Sequence, residues 1–193
     1  MLIKLKNNMK KKFVTSDLHV FHRNIIKYSN RPFNSVEEMN ETLVENWNSV
    51  VSEGDVVFNL GDFSFANGEK TVELLKRLNG TQFFTYGNHD RVMQSDVVKQ
   101  FCYKSGKITL FCDVMSLRYE GHFIFLSHYA HRTWNRSHHG SLHLYGHSHG
   151  TLPGVGRSMD VGVDSSDMVS NFTPFLLDDV IEFLMDKEIS HST

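Results

Sequence analysis

Two imidazoles, His147 and His149, stand two residues apart in the stretch YGHSHG, Tyr145 to Gly150. In an extended backbone the side chains at i and i+2 point the same way, so both rings can face one small volume. Gly146 and Gly150 let the chain turn sharply around it. Such a pair is half of a metal site. By itself an HxH pair is equally a solvated loop with two incidental histidines, so the reading depends on further donors elsewhere in the chain. Of 12 histidines, seven (His128, His131, His138, His139, His143, His147 and His149) fall in one short segment. Core packing does not explain that density.

Other donors stand at the ends of β-prone runs. Phe13 to Thr15 runs out into Asp17, Leu18 and His19; Val56 to Leu60 into Gly61 and Asp62; Gln82 to Tyr86 into Gly87, Asn88, His89 and Asp90. His122 to Ser127 delivers His128, and Leu142 to Tyr145 delivers the HxH pair. Oxygen and imidazole donors without thiolate suit manganese, iron, zinc or nickel. The set is too large for one ion. Two metals about 3.5 to 4 Å apart, bridged by one carboxylate and a hydroxide, would use nearly all of it and serve phosphoryl chemistry, with Asp62 as the natural bridge.

The elements that must position these residues follow from periodicity and turn signals. Ser35 with Glu38 is a capping box that opens a helix with Val36, Met39, Leu43, Trp47 and Val50 on one face. Glu69 to Leu78 reads as a second helix, closed by Asn79 and Gly80. Helices between buried strands predict βαβ units and a largely parallel sheet in the N-terminal half, where ligands bind beyond the carboxyl ends of the strands. Val114 to Tyr119 and His122 to Ser127 predict a hairpin through Glu120 and Gly121, and Arg157 to Val163 another strand, so the C-terminal half is expected to be antiparallel. Asp178 to Lys187 reads as a closing helix, and Tyr129 to Ser141 as the one long irregular stretch. Residues 1–12 read as a basic, unpatterned and dispensable leader before a single domain over 13–193.

In chain order, DLH from Asp17, GD at Gly61, GNHD from Gly87, the lone His128 and GHSH from Gly146 resemble the five signature blocks of the calcineurin-like metallophosphoesterases. The likeness covers residues 13 to about 164. The stretches FHRNIIKYSNRPF and SHYAHRTW also resemble a small bacterial and phage branch that lacks large capping domains. The resemblance implies an α/β fold, a β-sandwich of two mixed sheets flanked by helices. It also implies a first metal on Asp17, His19 and His149, a second on Asn88, His128 and His147, and Asp62 between them. The two divalent ions would be manganese, iron, zinc or nickel, with manganese expected to support activity in vitro. A hydroxide bridging the pair would attack phosphorus in line while His89 protonates the departing oxygen. Asp90 is expected to orient His89 and keep it protonated, and Asp160 and Asp164 to back the metal-bound imidazoles. Many relatives place Asp, Glu or Arg contacts after the second block, whereas Phe63 and Ser64 follow here, which leaves the substrate class open.

Substrate contacts are expected from His22, Arg23, Arg132 and Trp134, because guanidinium forks match phosphate oxygens and an indole stacks on a base. His22 and His122 also read as plain surface or core residues, and Trp134 as a packed side chain in a solvated loop. With 20 basic and 22 acidic residues the net charge is -2, so no general attraction to nucleic acid or membrane is expected. Cys102 and Cys112 form no CxxC pattern, and nothing reads as a signal peptide; a cytoplasmic protein is the expectation. The favoured function is hydrolysis of a small phosphate ester, a nucleotide, cyclic nucleotide or other phosphodiester. The alternatives are a nuclease or end-processing phosphatase, and a silent metal-binding scaffold, against which the presence of His89 counts.

Overall fold

A computed structural model describes residues 2–4 and 10–189. Among the described residues ten strands form two five-stranded mixed sheets. The first has the order β10 (Phe175–Leu176), β2 (Lys12–Thr15), β3 (Val56–Asn59), β4 (Thr81–Thr85) and β5 (Ile108–Cys112). Strands β2 to β5 are parallel to one another, and β10 is antiparallel at the edge. The second sheet has the order β1 (Leu2–Lys4), β6 (Val114–Tyr119), β7 (His122–Ser127), β8 (Leu142–Tyr145) and β9 (Ser158–Asp160).

Alternation along the strands builds two cores. Phe13, Val57 and Phe84 face helices α2 (Val36–Val50), α3 (Gly68–Arg77) and α4 (Asp96–Ser105), packing with Met39, Leu43, Trp47, Leu74 and Val98. Their neighbours Val14, Phe58 and Phe83 face the second sheet, meeting Met115, Leu117, Ile124, Leu126, Leu142 and Leu144. Helix α5 (Leu177–Met185) closes this second core with Leu177, Val180 and Leu184. Burying each such side chain stabilises the fold by about 1.5–3 kcal/mol. A short helix, α1 (Ile25–Tyr28), follows the loop after β2. Among the described residues no helix is long and apolar enough to cross a membrane.

Ser35 caps α2 by accepting from the Glu38 amide at 3.1 Å, while the Glu38 carboxylate accepts from the Asn34 amide at 2.8 Å. The capping box is therefore present with its return bond moved back by one residue. Two expectations need correction. Residues 1–12 are not an unpatterned leader outside a domain that starts at 13, because Leu2–Lys4 pairs with β6 in parallel and Ile3 is buried; residues 1 and 5–9 lie outside the described residues. The second half is not antiparallel either. Within the second sheet only β6 and β7 pair that way among the described residues; β7–β8, β8–β9 and β1–β6 are parallel, and β10 is antiparallel at the edge of the first sheet. Parallel neighbours require a crossover of about a dozen residues, which the irregular stretch 129–141 supplies.

Candidate metal centre

Because β2, β3 and β4 are parallel, and β7 with β8, their C-terminal ends deliver five loops to one rim. The loops are laced together: the Asp17 amide donates to Gly61 O, the His19 amide to Asp62 O, and the Gly146 amide to His128 O, each at 2.9 Å. Asp17, His19, Asp62, His147 and His149 all have positive φ, between 47° and 69°. Non-glycine residues held there cost of the order of 1–3 kcal/mol each and concentrate at functional sites. Gly146 is required by close approach, since a Cβ would stand 2.0 Å from Ser16 Oγ and 2.4 Å from Asp17 Oδ2.

Asp17, His19 and His149 form one group whose ligand atoms lie within 4.8 Å of one another. Asp17 Oδ2 accepts from the His147 amide at 2.8 Å. Its Oδ1 and His19 Nε2 are buried without a hydrogen-bond partner and stand 3.8 Å apart, and buried polar atoms in that condition call for a bound species. His149 Nδ1 is 2.7 Å from Asp164 Oδ2, which fixes the ring so that Nε2 is turned to the site. Arg31 locks Asp164 in turn, through Nε and Nη2 at 2.9 and 2.7 Å, and donates to the carbonyls of Leu18 and Asp17 at 2.8 and 2.7 Å.

Asp62, His128 and His147 form a second group. His128 Nδ1 is 2.8 Å from Leu60 O, a contact that requires the proton on Nδ1 and leaves a lone pair on Nε2. That lone pair meets Asn88 Oδ1 at 3.1 Å and Asp62 Oδ2 at 3.5 Å. Asp62 Oδ2 is also 3.5 Å from His19 Nε2, while Oδ1 accepts from the His89 amide at 2.9 Å. One carboxylate oxygen thus stands equally far from an imidazole of each group. Lone pairs converging without a proton between them suit cations, and about 2.1 Å from cation to nitrogen or oxygen is compatible with these separations.

The electrostatics agree. Burial pushes Asp17 up to about 8, against the opposing pull of His149. Burial and then the neighbouring His149 and Arg31 push His19 down to about 2. Burial also lowers His128 despite Asp62. Burial alone would lower His149, but Asp164 and Asp17 together raise it. Without a cation, Asp17, His19 and His128 are pushed toward their neutral states and His149 toward its charged one, and a dication in their midst would reverse that for the carboxylate.

Among the other expected site residues the outcome is mixed. His89 is exposed and lines the cleft over both groups, as do His22 and Asn88. Asp90 does not orient His89. Its two oxygens accept from the amides of Asp62, Phe63 and Gly87 at 2.7, 2.9 and 2.7 Å, so it clamps the second and third loops together, and burial pushes it up to about 7 against those bonds. Arg23 is exposed and does not line the cleft. Arg132 lines a separate cavity with Tyr145 and Leu152. Trp134 is buried on the far face of the second sheet, with its Nε1 donating to Ser141 O and its ring beside His143; it is a packing residue. Asp164 backs His149 as expected, while Asp160 accepts from the amides of Gly150 and Gly162. The part Arg31 plays behind Asp164 was not foreseen from the sequence, and Phe65 and Tyr28 were left unassigned although both line the cleft.

The chain is 51% identical over 86 residues, 44% of its length and 49% of the relative's, to an uncharacterized protein of Methanocaldococcus jannaschii. It is 34% identical over 85 residues, 42% of its length and 41% of the relative's, to the gene 66 protein of Mycobacterium phage L5. The matches span about half or less of these curated relatives. A crystal structure of a protein of unknown function from Aquifex aeolicus is similar in fold, with a TM-score of 0.66 at 20% identity, covering 90% of this chain and 98% of that one. No family model matches the chain.

Proposed function

We propose that this chain is a dinuclear metal-dependent phosphoesterase of the calcineurin-like type, hydrolysing a small phosphate ester. The observation that carries the reading is Asp62 Oδ2, held 3.5 Å from both His19 Nε2 and His128 Nε2, the place of a carboxylate shared by two ions. Asp17, His19 and His149 would hold one ion, and Asn88, His128 and His147 the other. Bound there, two divalent ions supply a nucleophilic oxygen at neutral pH and neutralise charge on the phosphate.

The remaining steps belong to the chain. Asp62, with its backbone held by Asp90 and its Oδ1 held by the His89 amide, keeps both ligand groups in register. His89 stands at the cleft without serving as a ligand, so its imidazole N–H is free to protonate the leaving oxygen. A hydroxide oxygen bonds to phosphorus, the bond from phosphorus to the ester oxygen breaks, and that oxygen takes the proton from the His89 imidazolium, which regains one from solvent.

The test is hydrolysis of bis(p-nitrophenyl) phosphate and p-nitrophenyl phosphate by the manganese-loaded protein, beside His89→Asn. Turnover by the natural chain is expected, with the ratio of the two rates sorting diester from monoester. Turnover should fall by about 10²–10⁴-fold in His89→Asn at unchanged metal content. A metal-loaded protein inactive on both esters would overturn the reading.

A further inference from the structure

The cleft over the two ligand groups has a volume of about 640 Å³ and two unlike walls. One is the rim of carboxylate, amide and imidazole donors. The other is aromatic: His22 lies flat on Phe65 with ring centroids 3.8 Å apart at 8°, and Tyr28 stands edge-on to His22 at 6.2 Å. Phe65 is also 5.2 Å from His19 and 5.0 Å from His89. The flat wall therefore begins beside the ligand group and the free imidazole and runs outward to Tyr28. Phe65 is 38% exposed and Tyr28 74%, an open apolar surface rimmed by polar groups, the condition that marks a binding site.

The same cleft has no lysine or arginine in its lining among the described residues. Arg31 is buried and occupied by Asp164 and two carbonyls. A second phosphate would bring further negative charge with no guanidinium or ammonium to pair it. A nucleic-acid strand requires a row of such cations along its backbone.

We propose that the substrate is an ester of a single phosphate whose organic part carries a flat, uncharged ring, seated between Tyr28 and the His22–Phe65 stack. This rests on the phosphoesterase reading and adds the substrate class. A ring sandwiched between two flat groups needs them roughly 7–8 Å apart, two van der Waals contacts. Tyr28, which is 74% exposed and edge-on at 6.2 Å, would have to turn parallel and move outward to give that spacing. Stacking of this kind tightens binding by roughly 5- to 150-fold per base. Either an aryl ester or the base of a nucleotide would supply that ring, the first close to the reacting bond and the second at the reach of a sugar.

Two pairs of probes on the manganese-loaded protein separate these sources. Adenosine 5′-monophosphate against ribose 5-phosphate differ in the base and not in the leaving oxygen. Phenylphosphonate against methylphosphonate, as inhibitors, differ in an aryl ring next to phosphorus. A KM or Ki at least about tenfold lower for the ring-bearing member of one pair is expected. The pair that shows it names the source, and adenosine diphosphate should bind no better than the monophosphate. Phe65→Leu and Tyr28→Ala should bring the ratio back toward unity. If either variant fails to fold, the ratios in the natural chain still decide.

Equal constants within both pairs, or tighter binding of the diphosphate, would overturn this inference and leave the phosphoesterase reading standing. No hydrolysis of any ester by metal-loaded protein would overturn both.

Discussion

Asp17, His19 and His149 are backed by a second layer of partners, whereas Asn88 and His147 meet solvent. Asp17 and His19 are 0% and 2% exposed, and Arg31, Asp164 and the His147 amide fix the orientation of the first group. In the second group His128 is anchored through Leu60 O and Asp62 through the His89 amide, while the other donors are exposed. The contrast teaches that the same donor types can serve two ends. A buried, hydrogen-bonded set is preorganised and would hold an ion with little loss of side-chain freedom, and an open set would leave room for a second ligand and for exchange. Asp62 joins the two.

The comparison can be broken most severely at that joint. Asp62→Ala removes the oxygen common to both groups, so metal content should fall from two ions per chain to one or none, and hydrolysis by roughly a thousandfold or more. Elemental analysis beside a rate assay checks this; two retained ions would show that the groups are independent. Arg31→Met attacks the first group from below. It leaves Asp164 buried without its cation, and a broken buried pair costs about 3–5 kcal/mol, to be read from urea unfolding of the metal-free protein.

Asp164→Asn sharpens the contrast at lower cost to the fold. Loss of an outer partner should weaken the tighter of two manganese sites by about 10–100-fold and leave the weaker site in place, a difference that titration calorimetry resolves. Equal weakening of both would contradict the division into two halves.

The smallest effect lies outside both groups. His143 is fully buried on the far side of the second sheet, with Nδ1 3.2 Å from Phe125 O and Nε2 accepting from the His131 amide at 3.0 Å. Burial pushes it down to about 4, below the ordinary value near 6.5, so the unfolded chain binds the proton more readily. Its stabilising contribution is complete above about pH 6.5 and is lost as pH falls toward 4. By pH 5.5 the loss is on the order of 1 kcal/mol. His143→Gln should remove that part of the acid dependence, measured by unfolding at pH 7 and pH 5.5, and an unchanged pH slope would refute the assignment.

Much of the site was legible in the sequence because a buried strand is short and ends at a turn, so donors at its carboxyl end announce themselves. The seven residues expected as ligands all arrive at one rim. What failed was inference from adjacency and from composition. Asp90 adjoins His89 in sequence, but a tight turn sends its carboxylate back to three amides. Arg132 and Trp134 have the chemistry for nucleotides, yet the crossover that makes β7 and β8 parallel carries them away from the cleft. Arg31 and Asp164 are 133 positions apart, and no local pattern links them. Helix α4 and strand β5 also went unread. The α4 sequence DVVKQFCYKS buries only Val98 and Cys102, too sparse a stripe to stand out.

Anomalous diffraction at the manganese edge from crystals soaked in manganese tests the central claim most directly. The account predicts two peaks per chain about 3.5–4 Å apart, one among Asp17, His19 and His149 and the other among Asn88, His128 and His147, with Asp62 between them. No peak at this rim, or a single peak that Asp62 does not touch, would contradict it.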